Sequence, residues 1–505
     1  MNKLMNTQII NNKRVIISFS AIFFVGLGLR FFYFPHELPL ISDAIDNFTF
    51  ATSINFLGYL PVEWAPANNG WPIFLSFWFS IINLENSLDY MQMQRIISVI
   101  LSALTIIPVY FLCRKFFDQR ISLVGGALFA FDPRIIMNSV LGITEPLFII
   151  LGISSLVIFL KYGRKEIILS FILAAFCTIV RSEGIFLLLT LSVLFFIKYG
   201  ISKDIVKTYI PSLIIFLLIL TPIMSIIWET GQTPFQRATG GTEQILSMTD
   251  NNEENKIIDG VGLFVKYLGW VMIPTFLIFV PFGFIQFLRN RKRETNFIIV
   301  FLVCSSIPIL YAYIVQAQDT RYLYFLFPVF CLISLFAVRS YLSKISRKNL
   351  LISVIIAGIL VSSVLFYEYK KIDYEKEVEM NEIGQIISEK IQGTNFHPTE
   401  TKYIRAAEVP DNWPFLLVDE MYEIHAVHTI NHDNLQEFIL ENRDKLTHII
   451  VDDNQNLPVF LQEVYRNEEN YEYLKNEFNS KDIGFDHNVK LFKIDFELFD
   501  SIIED

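Results

Sequence analysis

The chain has 505 residues, 53% of them hydrophobic and 15% aromatic, with a mean hydropathy of +0.44. Its apolar residues come in runs long enough to cross a bilayer, which takes about twenty as a helix, and this excludes an ordinary soluble globule. The formal net charge of −10 says little by itself, because acids and bases are segregated along the sequence; no nucleic-acid partner is expected.

The N-terminus carries Lys3, Lys13 and Arg14, followed by an apolar run from Val15 to Phe34. It lacks the short core and small-residue cleavage site of a signal peptide, so a permanent first span is expected. Next comes a long stretch from Pro35 to Gln94 with six carboxylates (Glu37, Asp43, Asp46, Glu63, Glu85, Asp89) and no Lys or Arg. Sixty residues are too many for a simple connector, and long irregular segments are usually functional or disordered. Its Trp, Tyr, Phe and Pro content argues against disorder. A folded outer layer presenting a carboxylate at the membrane surface is expected.

Ten further apolar segments follow: Ile96–Leu112, Ile121–Ser139, Glu145–Leu160, Ile167–Val180, Ile185–Ile197, Tyr209–Trp228, Leu263–Leu288, Phe297–Val315, Tyr322–Val338 and Leu350–Tyr367. Lys and Arg concentrate in cytoplasmic loops and are depleted from translocated ones. Alternate connections plus the N-terminus hold twenty basic residues; the opposite set holds six, namely Arg95, Arg134, Arg181, Arg237, Lys256 and Arg321. The N-terminus is therefore expected in the cytoplasm, with the Asp43 stretch and, after eleven spans, the C-terminus outside. Between the spans, Glu229–Asp259 reads as a mobile loop. The four cysteines (Cys113, Cys177, Cys304, Cys331) lie in or beside apolar segments, as buried thiols do, and imply no disulfide framework.

After Tyr367 the composition turns polar and acidic. Short apolar strands (Phe415–Val418, His448–Val451, Val489–Ile494) alternate with helix-like stretches (Glu382–Ile391, Asn434–Arg443, Pro458–Asn476), which predicts a small α/β domain with a partly parallel sheet. The expected fold is thus an all-α polytopic membrane domain of about eleven transmembrane helices (residues 1–367, with the outer loop 35–94) and a C-terminal extracytoplasmic α/β domain (residues 368–505).

Ionisable residues at the edge of a membrane are costly and mark substrate or ion pathways by default. Arg134 follows Asp132-Pro133, Arg181 opens Arg181-Ser182-Glu183-Gly184, Arg321 heads a late span and Glu145 heads the fourth. All are expected at one level near the outer face. Arginine suits phosphate because its planar fork makes paired, charge-assisted hydrogen bonds. Two or three arginines there suit a lipid phosphate as leaving group, and a nearby carboxylate suits a general base. Taken singly, each arginine has a plainer role as an interfacial anchor or the partner of an acid, as Arg181 with Glu183.

In order along the chain, the sequence resembles the C-superfamily polytopic membrane glycosyltransferases, above all the dolichyl-phosphate-mannose protein mannosyltransferases and the lipid A aminoarabinose transferases. The likeness runs through Asp43, Asn69-Gly70-Trp71-Pro72-Ile73-Phe74, Arg95-Ile96-Ile97-Ser98 and Tyr110-Phe111-Leu112-Cys113-Arg114-Lys115-Phe116-Phe117. It continues through Ala127-Leu128-Phe129-Ala130-Phe131-Asp132-Pro133, Thr144-Glu145, Arg181-Ser182-Glu183-Gly184 and Arg321-Tyr322-Leu323-Tyr324-Phe325-Leu326-Phe327-Pro328. The resemblance implies inverting transfer of one sugar, hexosyl or pentosyl, from a polyprenyl-phosphate donor to an acceptor hydroxyl on a protein, lipid or glycan outside the membrane. Asp43 carries over as general base, Glu145 as a second acid, and Arg181 and Arg321 as phosphate ligands with Arg134 beside them. No cofactor and no metal are implied. Many mannosyltransferases have two adjacent acids at the first motif, whereas here Ala44 follows Asp43 and the second acid is Asp46, which leaves the choice of base open. There is no Trp-Trp-Asp signature, so en bloc glycan transfer to asparagine is not expected.

Tyr59, Trp64 and Trp71 offer faces for a sugar or acceptor. His425, His428 and His432 have metal-like spacing, but the first two point to opposite sides of a strand; Asp452-Asp453 ends a strand, where a plain loop is expected. The rival function is a transporter or flippase for a lipid-linked or anionic substrate. Transporters place ionisable groups near the bilayer midplane and often repeat their halves, and neither pattern is present. A non-enzymatic assembly factor would account for the outer domain but not for the acids and arginines.

Overall fold

A computed structural model describes residues 2–61, 69–161, 163, 166–229, 254–290, 292–315, 317–370, 374–391, 432, 434–444, 446–453 and 457–504. The apolar runs are helical, because in hydrocarbon each backbone N–H and C=O must find its partner within its own segment. In chain order the helices are α1 (Asn2–Phe32), α2 (Asp43–Leu57), α3 (Gly70–Ile81), α4 (Ser87–Leu104), α5 (Ile106–Phe116), α6 (Gln119–Ala130), α7 (Pro133–Ser139), α8 (Glu145–Lys161), α9 (Ile167–Val180) and α10 (Ile185–Tyr199). They continue as α11 (Lys203–Glu229), α12 (Glu254–Met272), α13 (Phe276–Arg289), α14 (Arg293–Ile314), α15 (Phe327–Leu342) and α16 (Lys348–Lys370). The more polar remainder holds α17 (Tyr374–Ile391), α18 (Leu435–Glu441), β1 (His448–Val451), α19 (Val459–Arg466), β2 (Leu474–Asn479), β3 (Lys490–Ile494) and α20 (Phe496–Glu504).

Among the described residues seven helices are long and apolar enough to cross a membrane, or up to nine if each of two bent pairs is one span. With the shorter α8 and α9, of 17 and 14 residues, these account for the eleven expected segments, and the protein is an integral membrane protein. Two of the expected segments are bent pairs of helices. α6 and α7 meet at 52°, where Asp132 caps α7 through its own carboxylate and Pro133 takes the first helical position. The expected span Leu263–Leu288 is broken into α12 and α13, bent by 112°, at Pro274, which has no N–H to continue a helix.

The chain divides into two compact units, one of residues 1–34, 60–74 and 94–370, the other of residues 35–59, 75–93 and 371–505. In the first, every residue from Ile121 to Ala130 of α6 is buried. The segment Arg321–Leu342 is 89% buried against 17% for Val206–Ile226, so the former faces protein and the latter presents its surface outward. All four cysteines are buried and unbonded.

Among the described residues of the second unit the sheet has three strands, of order β1-β3-β2, and both pairings are antiparallel, where a partly parallel sheet was expected. The helix expected over Pro458–Asn476 stops at Arg466, and its tail gives way to β2 at Leu474. Side chains alternate across a strand, and the sheet is covered on both faces accordingly. Ile383, Ile387 and Ile391, one stripe of α17, pack with Ile450 and Leu491. Leu435, Phe438, Leu461, Val464 and Phe499 from α18, α19 and α20 pack with Ile449, Val451, Phe492 and Ile494. The expected strand Phe415–Val418, His425 and His428, and positions 230–253 of the expected mobile loop lie outside the described residues.

Candidate active site

In the first unit, Glu145 stands in the first turn of α8 and is buried. Its approach is fixed by Gly142, whose φ of +78° is a left-handed conformation that glycine adopts at no steric cost. The Gly142 carbonyl accepts from Trp71 Nε1 at 3.1 Å and Gln94 Nε2 at 2.7 Å. Thr144, just before α8, donates to Glu145 Oε2 at 3.3 Å.

Arg181 ends α9, its backbone N–H bonded to the Cys177 carbonyl at 3.0 Å. The turn that follows lies so close on α9 that a Cβ on Gly184 would stand 2.6 Å from the Thr178 nitrogen, which explains the glycine of Arg181-Ser182-Glu183-Gly184. The turn spreads the guanidinium between two acids. Nη1 meets Glu145 Oε1 at 2.6 Å and Nη2 meets Glu183 Oε1 at 3.0 Å. The Phe148 and Tyr322 rings each lie 5.8 Å from the guanidinium carbon. Burial opposes the Arg181 charge, but Glu183 and Glu145 outweigh it and hold its pKa above the ordinary value.

Arg181 and Arg321 line one small cavity, of about 40 Å³, whose other walls include Glu145, Pro308, Ile309 and Phe325. Arg321 heads a short 3-10 turn, its Nε 2.5 Å from Asp319 Oδ2. The lining thus combines charged side chains with apolar ones, the mixture a ligand with an anionic group and an apolar body requires. The two arginines are matched by Glu145, Glu183 and Asp319, a formal charge of −1 for the five groups. An incoming phosphate competes with these carboxylates for the two guanidinium groups. Glu183 stands where it is expected, as a partner of Arg181; Asp319 is the member that sequence reasoning missed, and its spacing of two residues from Arg321 was the available signal.

Arg134 is not among the residues lining this cavity. Its Nη2 donates to the Trp270 carbonyl at 2.7 Å and its Nε to that of Ile273 at 3.3 Å. These carbonyls lie at the end of α12, where helix C=O groups lack partners and favour a cation. Trp71, expected to offer a face to a sugar, is fully buried. It supports the Gly142 turn instead. Trp64 lies outside the described residues.

In the second unit, Asp43 and Asp46 both occupy the first turn of α2, where the helix dipole favours carboxylates. Asp43 is exposed and Asp46 half-buried. Ser42, immediately before them, has φ +53° and ψ −137°, a conformation that costs a non-glycine residue on the order of 1–3 kcal/mol and clusters at functional sites. Tyr59 is 61% exposed and available for contact. Among the described residues no three His, Cys, Asp or Glu side chains come together as a metal site, and His432 pairs with Glu441 at 2.9 Å.

Residues 74–228 match the family model described as dolichyl-phosphate-mannose-protein mannosyltransferase. No curated protein matches the sequence. Among solved structures, the chain is similar to the oligosaccharyltransferase of Archaeoglobus fulgidus in complex with zinc and sulfate, with a TM-score of 0.56 and 13% identity over 86% of this chain and 68% of that one. The oligosaccharyltransferase AglB of the same organism, with an inhibitory peptide and a dolichol phosphate, gives a TM-score of 0.54 and 12% identity over 88% and 70%. ArnT from Cupriavidus metallidurans, bound to undecaprenyl phosphate, gives a TM-score of 0.54 and 9% identity over 95% and 97%.

Proposed function

We propose that this chain, which has the fold of the polytopic C-superfamily membrane glycosyltransferases, moves a single sugar from a polyprenyl-phosphate donor to an acceptor hydroxyl with inversion. The observation that carries the proposal is the cavity lined by Arg181 and Arg321 together with apolar side chains. Its chemistry suits a phosphate on an isoprenoid chain. The dolichol phosphate and undecaprenyl phosphate bound in the AglB and ArnT structures are in keeping with it.

In this mechanism the Asp43 carboxylate takes the proton of the acceptor hydroxyl. The freed oxygen pair forms the bond to the anomeric carbon on the face opposite the phosphate. The carbon–oxygen bond to phosphate breaks, and its electron pair departs with the polyprenyl phosphate. Arg181 and Arg321 meet the charge that develops there, as preorganised donors do for a leaving group. Glu145 positions Arg181. The exposed Asp43 carboxylate at a helix N-terminus, beside the strained Ser42, supports it as the base, with Asp46 one turn on as its competitor. The unequal distribution of Lys and Arg between alternate loops supports a cytoplasmic N-terminus and transfer on the outer face.

The test uses purified protein in lipid discs, a panel of polyprenyl-phosphate sugars and outer-surface acceptors, with release of free polyprenyl phosphate as the readout. Sugar-dependent release that falls about 10²–10⁴-fold in Asp43→Asn, the range for a general base, is the expected result. Release that survives Asp43→Asn and fails in Asp46→Asn moves the base to Asp46. No release with any donor overturns the proposal.

A further inference from the structure

The second notable pocket of the membrane unit lies at the far end of α8. Glu145 begins this helix and Lys161 ends it, so its 17 residues separate the two ends by about 25 Å at 1.5 Å per residue. Between the last turns of α5 and α8 is a pocket of about 310 Å³, lined by Arg114, Lys115 and Lys161 with Phe111, Val157 and Leu160. Lys161 Nζ stands 4.6 Å from the centre of the Phe111 ring, and Arg114 Nη1 is held on the Phe117 carbonyl at 2.7 Å.

Further cations reach the same end of the unit. Lys198 Nζ, from the last turn of α10, donates to the Phe159 carbonyl at 2.7 Å. Arg293, from the start of α14, donates in turn to the Lys198 carbonyl at 2.7 Å. Arg114, Lys198 and Arg293 each donate here to a backbone carbonyl, which gathers cationic side chains at these helix ends. Lys and Arg in cytoplasmic loops serve topology wherever they lie, and topology calls for no concave site. Here the cations line a hollow whose other walls are apolar side chains.

We infer that this pocket binds an anionic membrane phospholipid, its phosphate on Lys115, Lys161 and Arg114 and its glycerol and upper acyl carbons against Phe111, Val157 and Leu160. Basic pockets between membrane helices bind such head groups, at about 1 kcal/mol per Lys or Arg near the surface. The site is separate from the Arg181 cavity and does not rest on the proposed transferase activity.

The experiment is native mass spectrometry of the full chain with added dioleoyl-phosphatidylglycerol or dioleoyl-phosphatidylcholine. The wild type is expected to retain one phosphatidylglycerol and to lose phosphatidylcholine. Lys115→Ala/Lys161→Ala is expected to weaken retention about 30-fold, the effect of two such charges, while Lys115→Arg/Lys161→Arg retains it. Lys344→Ala/Arg347→Ala, which removes two basic residues from another loop, is expected to leave it unchanged. Equal loss in that control shows diffuse attraction and overturns the site, as does equal retention of the two lipids. Displacement of the lipid by millimolar inorganic phosphate makes this a free-phosphate site and overturns the lipid assignment. If the alanine pair fails to fold, Val157→Trp fills the pocket with every charge kept. Loss of the lipid there supports the site, and full retention overturns it.

Discussion

Trp71 and Gln94 donate to one and the same oxygen, the carbonyl of Gly142, at 3.1 and 2.7 Å. The pair holds a left-handed turn three residues before Glu145, so a tryptophan from the carboxylate-rich stretch 35–94 sets the position of an acid on α8. Trp71→Phe removes one hydrogen bond and is expected to cost about 1 kcal/mol, whereas Trp71→Ala empties a core site and is expected to cost about 3–5 kcal/mol. Thermal unfolding of the detergent-solubilised chain measures both. If Trp71→Phe raises a donor or acceptor KM while stability stays unchanged, the residue is a ligand contact and not a strut.

Arg181 serves two carboxylates at once, which sets an order on substitutions around it. Glu145→Gln leaves Arg181 its pairing with Glu183 and is expected to cost about 1–3 kcal/mol. Arg181→Ala strands both acids, and removing one partner of a buried ion pair costs about 3–5 kcal/mol. Arg181→Lys falls between them, because an ammonium cannot reproduce the planar fork. A double-mutant cycle on positions 145 and 181, read by unfolding, checks the coupling. Additive effects would show that the 2.6 Å contact carries no energy of its own.

How much of this was legible in the sequence follows from the range of each interaction. The spans could be read because the bilayer sets a length requirement that a linear run of apolar residues either meets or fails. The break at Pro274 could not. Pro211 and Pro222 lie inside the continuous α11, and Pro281 and Pro308 lie inside α13 and α14, so a proline alone does not mark the break at Pro274, whereas Asp132-Pro133 carries the cap-and-proline signal of a new helix. Arg181 and Glu145 could be singled out as costly charges at membrane edges, but their contact spans 36 positions and depends on how α8 and α9 pack. In the second unit, β2 was read as helix because only Leu474 and Phe478 of its six residues are buried, which leaves no alternation to see.

Arg134 has the composition of a phosphate ligand and the surroundings of a helix cap. Arg134→Met removes its bonds to the Trp270 and Ile273 carbonyls at the sharp bend between α12 and α13. Hydrogen bonds from a charged donor are worth about 1.5–3 kcal/mol each, so a clear drop in thermal stability is expected, with the donor KM unchanged in the folded fraction. A raised donor KM without loss of stability would return Arg134 to the phosphate.

The C-terminal domain carries its own pH sensitivity in His448, which is buried at the start of β1. Its Nε2 lies 3.3 Å from Glu477 Oε2 and its Nδ1 2.9 Å from Thr447 Oγ1. Burial lowers its pKa below the ordinary value, and the pull of Glu477 in the opposite direction does not make up the difference. Between that lowered value and the unfolded value of about 6.5, the unfolded chain binds more protons than the folded one. Stability therefore rises with pH through this window, is full above it and is lost as pH falls below about 6.5. Hydrogen exchange of the β1 and β3 amides in the full chain is expected to be more protected at pH 7.5 than at pH 5.5, after correction for intrinsic rates. In His448→Gln the difference should shrink. An unchanged difference in that variant would assign the pH dependence to another group, and greater protection at pH 5.5 would mean that Glu477 outweighs burial.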